Sequence, residues 1–99
     1  MRPYEFHPEA LDEFEAAAQY FAVRQPGLEL RFISNIEATI QRICEAPRRL
    51  RVVDGDVRRC LVRVFPYAVL YSIEPEHVLI IAVMHCSREP GYWRHRLVS

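Results

Sequence analysis

The stretch of residues 78–84 constrains the fold most, because all of its positions are apolar and it ends at His85. Residues 57–64 and 67–73 are also rich in β-branched and aromatic residues, and only short connections separate the three stretches. Short connections join antiparallel strands, whereas parallel strands need a long crossover. A strand that is apolar on both faces is typical of a sheet interior. We therefore expect an antiparallel meander in which residues 78–84 form a central strand.

The first half of the chain carries two helical patterns. Apolar residues recur at three- and four-residue spacing after Pro8, at Leu11, Phe14, Ala18 and Phe21. Residues 25–27, Gln-Pro-Gly, interrupt this pattern, and Pro47 ends a second one that comprises Leu28, Phe32, Ile36, Ile40 and Ile43. With a short strand at residues 3–6 and a loop at 47–56, the predicted fold is α+β, in the order β-α-α-β-β-β. A helix hairpin packs on one face of a small, mainly antiparallel sheet.

Length and cysteine content limit the classes of protein. A chain of 99 residues is expected to form one domain, residues 1–99. No stretch approaches the roughly 20 apolar residues of a membrane helix, and no apolar signal core follows Met1, so we expect a cytoplasmic protein. The three cysteines are an odd number without a CxxC pair, and the histidines lack ligand spacing. We therefore expect no disulfide framework, no metal site and no cofactor.

Charge is divided unevenly along the chain. The net charge is zero, but residues 1–45 carry a balance of −4 and residues 46–99 a balance of +4. This asymmetry indicates either an anionic partner for the basic half or ordinary solvated faces. All 13 basic residues are arginine, so a lysine nucleophile is excluded and histidine is the basic side chain suited to proton transfer.

Two arginines of the first meander strand, predicted at residues 57–64, are candidate anion ligands. Arg59 and Arg63 would lie on one strand face, roughly 13 Å apart at about 3.3 Å per residue, which suits successive phosphates or a carboxylate-rich peptide. Arg88 could join them at the turn after the last strand. The alternative is a solvated face on which arginine stems cover apolar surface.

The residues after the last strand admit both functional and structural interpretations. His85 could transfer a proton near neutral pH, or it could cap the strand through backbone hydrogen bonds. Tyr92 and Trp93 could stack on bases, or they could anchor the tail onto the core. Cys86 has no visible third group to support it as a nucleophile.

The chain resembles the RelE/ParE superfamily of toxin–antitoxin toxins over nearly its whole length. The resemblance rests on the order and spacing of several short motifs, namely Phe6-His7-Pro8-Glu9-Ala10, Val57-Arg58-Arg59, Phe65-Pro66-Tyr67, Ala82-Val83-Met84-His85 and Arg88-Glu89-Pro90-Gly91-Tyr92-Trp93. It implies a bacterial cytoplasmic toxin that forms a hetero-oligomer with an antitoxin encoded beside it. The antitoxin tail would bind by strand addition or as a helix in a groove.

The superfamily implies two different targets. RelE-like members cut mRNA on the ribosome by holding the scissile phosphate with cations, and ParE-like members inhibit DNA gyrase without a known hydrolytic site. In a ribonuclease the catalytic residues would be Arg59, Arg63, His85, Arg88 and Tyr92. RelE-like chains usually carry an arginine where this chain has Ala68, and the turn after the last strand keeps one basic residue, Arg88.

These departures favour a ParE-like toxin that inhibits gyrase by binding. The ribosome-dependent mRNA endoribonuclease is the second hypothesis, and a non-toxic module that binds only antitoxin is the third. For a binding function, the residues expected to contact target or antitoxin are Arg58, Arg59, Arg63, Arg88, Tyr92 and Trp93.

Overall fold

The computed structural model describes residues 2–97, which form two helices packed on a five-stranded mixed sheet. The α+β class and the helix hairpin predicted from the sequence are confirmed. The elements in chain order are β1 (Tyr4–Phe6), α1 (Pro8–Arg24), α2 (Leu28–Glu45), β2 (Arg51–Asp54), β3 (Val57–Leu61), β4 (Tyr67–Ile73), β5 (Val78–His85) and a 3₁₀ turn, η1 (Arg94–Leu97). Within residues 2–97, neither helix is long and apolar enough to cross a membrane.

Local chemistry accounts for the helix boundaries. Nδ1 of His7 accepts the backbone N–H of Glu9, and Pro8 occupies the first turn, where a missing N–H costs nothing. Between the helices, Gly27 adopts φ +92°, a left-handed conformation that glycine accepts without steric cost. The break predicted from Gln-Pro-Gly is therefore where the hairpin turns.

The sheet has the strand order β1-β5-β4-β3-β2. Strands β3, β4 and β5 form the predicted antiparallel meander, and β1 pairs with β5 in parallel. Two sequence predictions were wrong at their boundaries. The expected loop at residues 47–56 contains β2, which pairs with β3. The first meander strand was predicted to reach residue 64, but it ends at Leu61.

The main core lies between the helices and one face of the sheet. Phe32 is fully buried at its centre, where its ring lies 4.9 Å from that of Phe21, 5.3 Å from Phe65 and 5.0 Å from Tyr67. Tyr71 extends this core toward the end of α2, and its hydroxyl donates to the carbonyl of Pro47 at 2.6 Å. Burial raises the pKa of Tyr71 to about 12, so the phenol stays neutral.

A second, smaller core occupies the opposite face of the sheet. Its buried members are Val57, Ala68, Leu70, Ile81, Ala82 and Trp93. The pairing of β4 with β5 skips Ile81, which forms a β-bulge, so Ile81 and Ala82 both join this second core while Ile80 faces the helices. The residues after β5 fold back over this face and cover part of it.

Candidate functional site

The chain after β5 is held to α1 by a buried ion pair. The guanidinium of Arg96 contacts both carboxylate oxygens of Glu13, at 2.8 and 3.0 Å. Their side chains are 5% and 18% exposed, so little solvent screens the pair. Burial alone would lower the pKa of Arg96, but the hydrogen bond and charge of Glu13 outweigh it and raise the pKa. The pair joins positions 13 and 96 and anchors the tail across the molecule.

The same ion pair satisfies backbone groups of β5. Beyond its short pairing with β1, the outer side of β5 presents the carbonyl of Ile81 and the N–H of Val83. Arg96 donates to the Ile81 carbonyl at 2.9 Å, and Glu13 accepts the Val83 N–H at 3.0 Å. Since buried backbone groups need partners, Glu13 and Arg96 do here what a neighbouring strand would do.

Tyr92 takes part in this network. Its hydroxyl donates to the other carboxylate oxygen of Glu13 at 2.5 Å. Burial, followed by the hydrogen bond to Glu13, raises the pKa of Tyr92 above its ordinary value. The Arg88 guanidinium lies 3.8 Å from the centre of the Tyr92 ring, close enough for a cation–π contact. The hydroxyl that a ribonuclease would use for proton transfer is thus engaged within the protein.

Arginines line a groove on the sheet face opposite the helices, which we call the arginine groove. Arg59, Arg88 and Arg94 line it over the apolar side chains of Leu70 and Met84. One carboxylate, Asp54, lines the groove in the part of the chain that the structure describes. Asp54 accepts from Nε of Arg94 at 2.6 Å. The groove therefore carries an excess of positive charge and suits an anionic ligand.

Cross-strand pairing adds to the charge of this face. Arg51 on β2 is the register partner of Arg59 on β3, and residues directly opposite each other in a sheet project from the same face. Like charges in such a pair destabilise the sheet. An anionic partner would relieve this repulsion.

Arg63 does not lie with Arg59, contrary to the prediction that they share one strand face. Because β3 ends at Leu61, Arg63 belongs to the following loop and lines a groove beside α2, together with Arg42 and Glu45. Arg59 and Arg63 therefore face opposite sides of the sheet. The predicted placement of both arginines on one strand face is therefore wrong.

Arg58 has a local structural role. Its guanidinium donates to the carbonyls of Arg48 at 3.0 Å and Leu50 at 2.7 Å. These bonds attach the segment before β2 to β3. Arg58 thus holds the edge of the sheet and has fewer donors left for a partner.

His85 lies at the end of β5, on the side of the sheet that faces α1. Its Nδ1 is 3.0 Å from the backbone nitrogen of Ser87 and 2.7 Å from the Ser87 hydroxyl, which matches the predicted capping role. The His85 ring also contacts Tyr67 edge-on at 5.1 Å. His85, Tyr67, Tyr20 and Arg88 line a depression along α1, which we call the α1 groove.

Trp93 and Ala68 are both buried in the second core. Trp93 is 4% exposed, so its ring anchors the tail and offers no free face for stacking. Ala68 is fully buried beneath the tail. An arginine at position 68 would have no space unless the tail moved.

Metal and thiol chemistry find little support in residues 2–97. No group of three or more histidine, cysteine, aspartate or glutamate side chains in this range could hold a metal ion. Cys44 and Cys60 are buried, and burial raises the pKa of each thiol. Cys86 is exposed beside the arginine groove.

The helix hairpin, the mixed sheet and the motifs around β3, β4 and β5 together define a RelE/ParE-type toxin. Within that class the chain belongs to the ParE family. The family model described as "ParE toxin of type II toxin-antitoxin system, parDE" matches residues 4–90. The protein is therefore a ParE-type toxin of a type II toxin–antitoxin system, and the family implies an antitoxin partner.

The fold also matches that of a solved toxin–antitoxin system. One matching chain comes from the chromosomal ParDE TA system of P. aeruginosa, with a TM-score of 0.75 and 12% sequence identity. The match covers 86% of this chain and 96% of that chain. At this identity the likeness establishes the fold alone. No curated protein matches the sequence.

The sequence predicted two of the three arginines of the arginine groove, but it did not predict the ion pair between Glu13 and Arg96. Arg59 and Arg88 were predicted to lie together, and both line the arginine groove. Arg94 joins them, and Arg96 with Glu13 holds the tail, although neither arginine was selected as a candidate. Glu13 had the pattern of a solvated helix acid, and nothing local indicated its partner 83 positions away.

Proposed function

We propose that this protein inhibits DNA gyrase by binding to it and that a cognate antitoxin neutralises it. The observation that carries the proposal is the dispersal of the groups that a ribonuclease would need. Arg63 faces the helix side, the Tyr92 hydroxyl is bonded to Glu13, and Ala68 lies where an arginine is expected in RelE-like chains. A phosphate clamp works only when its cations are preorganised around one site.

A binding function needs a rigid, charged surface rather than a catalytic cluster. The arginine groove meets this need, because Arg59 projects from a central part of the sheet and Arg94 is restrained by Asp54. Arg88 is similarly restrained by stacking on Tyr92. Guanidinium groups that are already ordered lose less entropy when they bind a carboxylate or phosphate. Such a toxin would act in the cytoplasm.

The α1 groove is the surface that we assign to the antitoxin. Tyr20 lines this groove and Val23 lines the adjoining depression on α1, and they are 51% and 80% exposed, which is unusual for large apolar side chains on a helix. Ala16, one turn before Tyr20 on α1, has a small side chain that leaves room for a bound segment, and Arg88 lies at one end of the groove. An amphipathic helix with apolar anchors and a carboxylate facing Arg88 would fit this lining.

One purified sample tests the proposal in two assays. We expect the protein to inhibit supercoiling by purified DNA gyrase and to leave mRNA intact on programmed ribosomes. Cleavage of mRNA at the ribosomal A site would overturn the proposal. Absence of activity in both assays would favour a module that only binds antitoxin.

The ribonuclease remains the second candidate because Arg59 and Arg88 line the same groove. If cleavage were found, Arg59→Gln should reduce its rate by about 10²–10³, the usual effect of losing one preorganised donor. Arg63→Gln is the matched control, since it removes the same charge from the opposite side of the sheet. A cleavage rate that fell equally in both variants would show that this geometry does not describe the active enzyme.

A further inference from the structure

The loop after β3 contains a backbone conformation that its residue type disfavours. Val64 has φ +74°, and among residues 2–97 it is the one non-glycine residue with positive φ. This left-handed region is accessible to glycine and tolerated by asparagine, but it is a rare outlier for a β-branched side chain. The Val64 side chain is also 76% exposed. Packing inside the protein therefore does not compensate for the strain.

The surrounding contacts explain why the backbone turns at this point. Phe65 is buried, with its ring 5.1 Å from that of Phe21. The N–H of Val62 donates to the Tyr67 carbonyl at 2.9 Å, and Tyr67 donates back to the Phe65 carbonyl at 2.8 Å. These contacts require a left-handed residue at position 64, but they do not require valine. Glycine or asparagine would satisfy the same backbone at lower cost.

The strained residue lies in a patch that combines apolar and basic groups. Leu61 is 58% exposed at the end of β3, and Arg63 is exposed beside Val64. Arg42 on α2 donates to the Leu61 carbonyl at 3.3 Å, while its Nε is buried without a partner. Leu61 is the register partner of Ala68 and so projects from the opposite face of the sheet, and the patch presents Val64 next to the two guanidinium groups of Arg63 and Arg42.

Its shape distinguishes this patch from the α1 groove. The α1 groove is concave and can receive a helix or an extended tail. Val64 instead projects from a loop on a rigid scaffold, so a partner must supply the concave surface. A folded target can do this, whereas a flexible tail offers no preformed pocket. Strain retained at an exposed position is characteristic of a functional contact.

We propose that the loop at residues 61–65 docks into gyrase, with Val64 entering an apolar pocket whose rim carries carboxylates. Arg63 and Arg42 supply the complementary positive charge. This inference rests on the gyrase inhibition proposed above and adds a second surface that contacts gyrase. The arginines of the arginine groove then contact further anionic groups of the same target, from the other side of the sheet.

The test replaces Val64 by asparagine, which accepts the left-handed backbone but removes the apolar contact. Inhibition of gyrase supercoiling is measured together with the thermal midpoint, Tm. We expect Val64→Asn to raise Tm by roughly 4 °C through relief of strain. The half-inhibitory concentration should increase by about 30-fold, as expected for an interface hot spot. Leu30→Gln is the matched control, because Leu30 is a 66% exposed apolar residue of α2 outside this patch.

The outcomes separate the inference from the proposed function. Unchanged inhibition by Val64→Asn, with wild type and Leu30→Gln active, would overturn the docking assignment alone. A lower Tm that accompanies the loss of inhibition would show that valine supports the fold, and it would likewise overturn the assignment. If wild type and Leu30→Gln both fail to inhibit gyrase, the proposed function itself is wrong and the docking assignment is lost with it.

Discussion

Replacement of Arg96 by methionine tests whether the buried ion pair anchors the C-terminal tail. Methionine keeps most of the side-chain volume but removes the guanidinium that contacts both Glu13 oxygens and the Ile81 carbonyl. The Glu13 carboxylate would remain largely buried, with only the Val83 N–H and the Tyr92 hydroxyl as donors. An uncompensated buried charge is the main source of the expected destabilisation.

The magnitude follows from these contacts. Removing one member of a buried pair costs about 3–5 kcal/mol, and the two donors that remain at Glu13 place the cost of Arg96→Met at about 3 kcal/mol. Because 1 kcal/mol shifts the Tm of a domain of this length by about 4–8 °C, Tm should fall by about 15 °C. Urea unfolding followed by far-ultraviolet circular dichroism measures the change in unfolding free energy.

A double-mutant cycle and a control variant complete the experiment. Glu13→Gln, Arg96→Met and the double variant should give a coupling energy of about 2 kcal/mol. Arg94→Met removes an exposed ion pair from the same tail and should cost at most about 1 kcal/mol. If Arg96→Met stays within about 0.5 kcal/mol of wild type, or the coupling is near zero, the pair does not anchor the tail.

Three further predictions concern the same tail. Tyr92→Phe should lower the unfolding free energy by about 1–2 kcal/mol through loss of the bond to Glu13. Because the pKa of Tyr92 is raised, the stabilisation is present below about pH 10 and lost as the pH rises through the folded value. Urea titrations at increasing pH should therefore show a smaller alkaline decrease of the unfolding free energy for this variant than for wild type. The hydrogen bond to His95 lowers the pKa of Glu9, so ionised Glu9 stabilises the fold above about pH 4.3 and loses this effect as the pH falls through its lowered pKa. The Tm difference between wild type and Glu9→Gln should accordingly disappear in acid, and a difference that persists at pH 2 would contradict this. Gly91→Ala should lower the unfolding free energy by about 1 kcal/mol, because Gly91 has φ +78°; an unchanged urea midpoint would refute the backbone argument.

Strong local patterns made the helices and the meander predictable from the sequence. Both helices repeat apolar residues at helical spacing and end at Pro or Gly signals, and the structure places α1 and α2 between those signals. The apolar stretch before His85 forms β5, which has neighbours on both sides. In these segments the local preference and the tertiary packing agree.

Other features depend on tertiary contacts that no local sequence pattern indicates. Strand β2 has four residues, is exposed at the first three of them and ends at an aspartate, so its pattern resembles a loop. The end of β3 at Leu61 is set by the insertion of Phe65 into the core, and the alternation of apolar residues continues misleadingly through Val64. Because β3 ends early, Arg59 and Arg63 do not share one strand face, contrary to the prediction from the sequence.

The ion pair across β5 has a consequence for how the protein behaves without its antitoxin. An uncovered strand edge is a template on which another chain can add a strand and begin to aggregate. Here Arg96 and Glu13 occupy the carbonyl of Ile81 and the N–H of Val83, and charged side chains at a strand edge repel an incoming backbone. Without an antitoxin bound, the protein would therefore keep this edge protected by its own tail and resist aggregation through it.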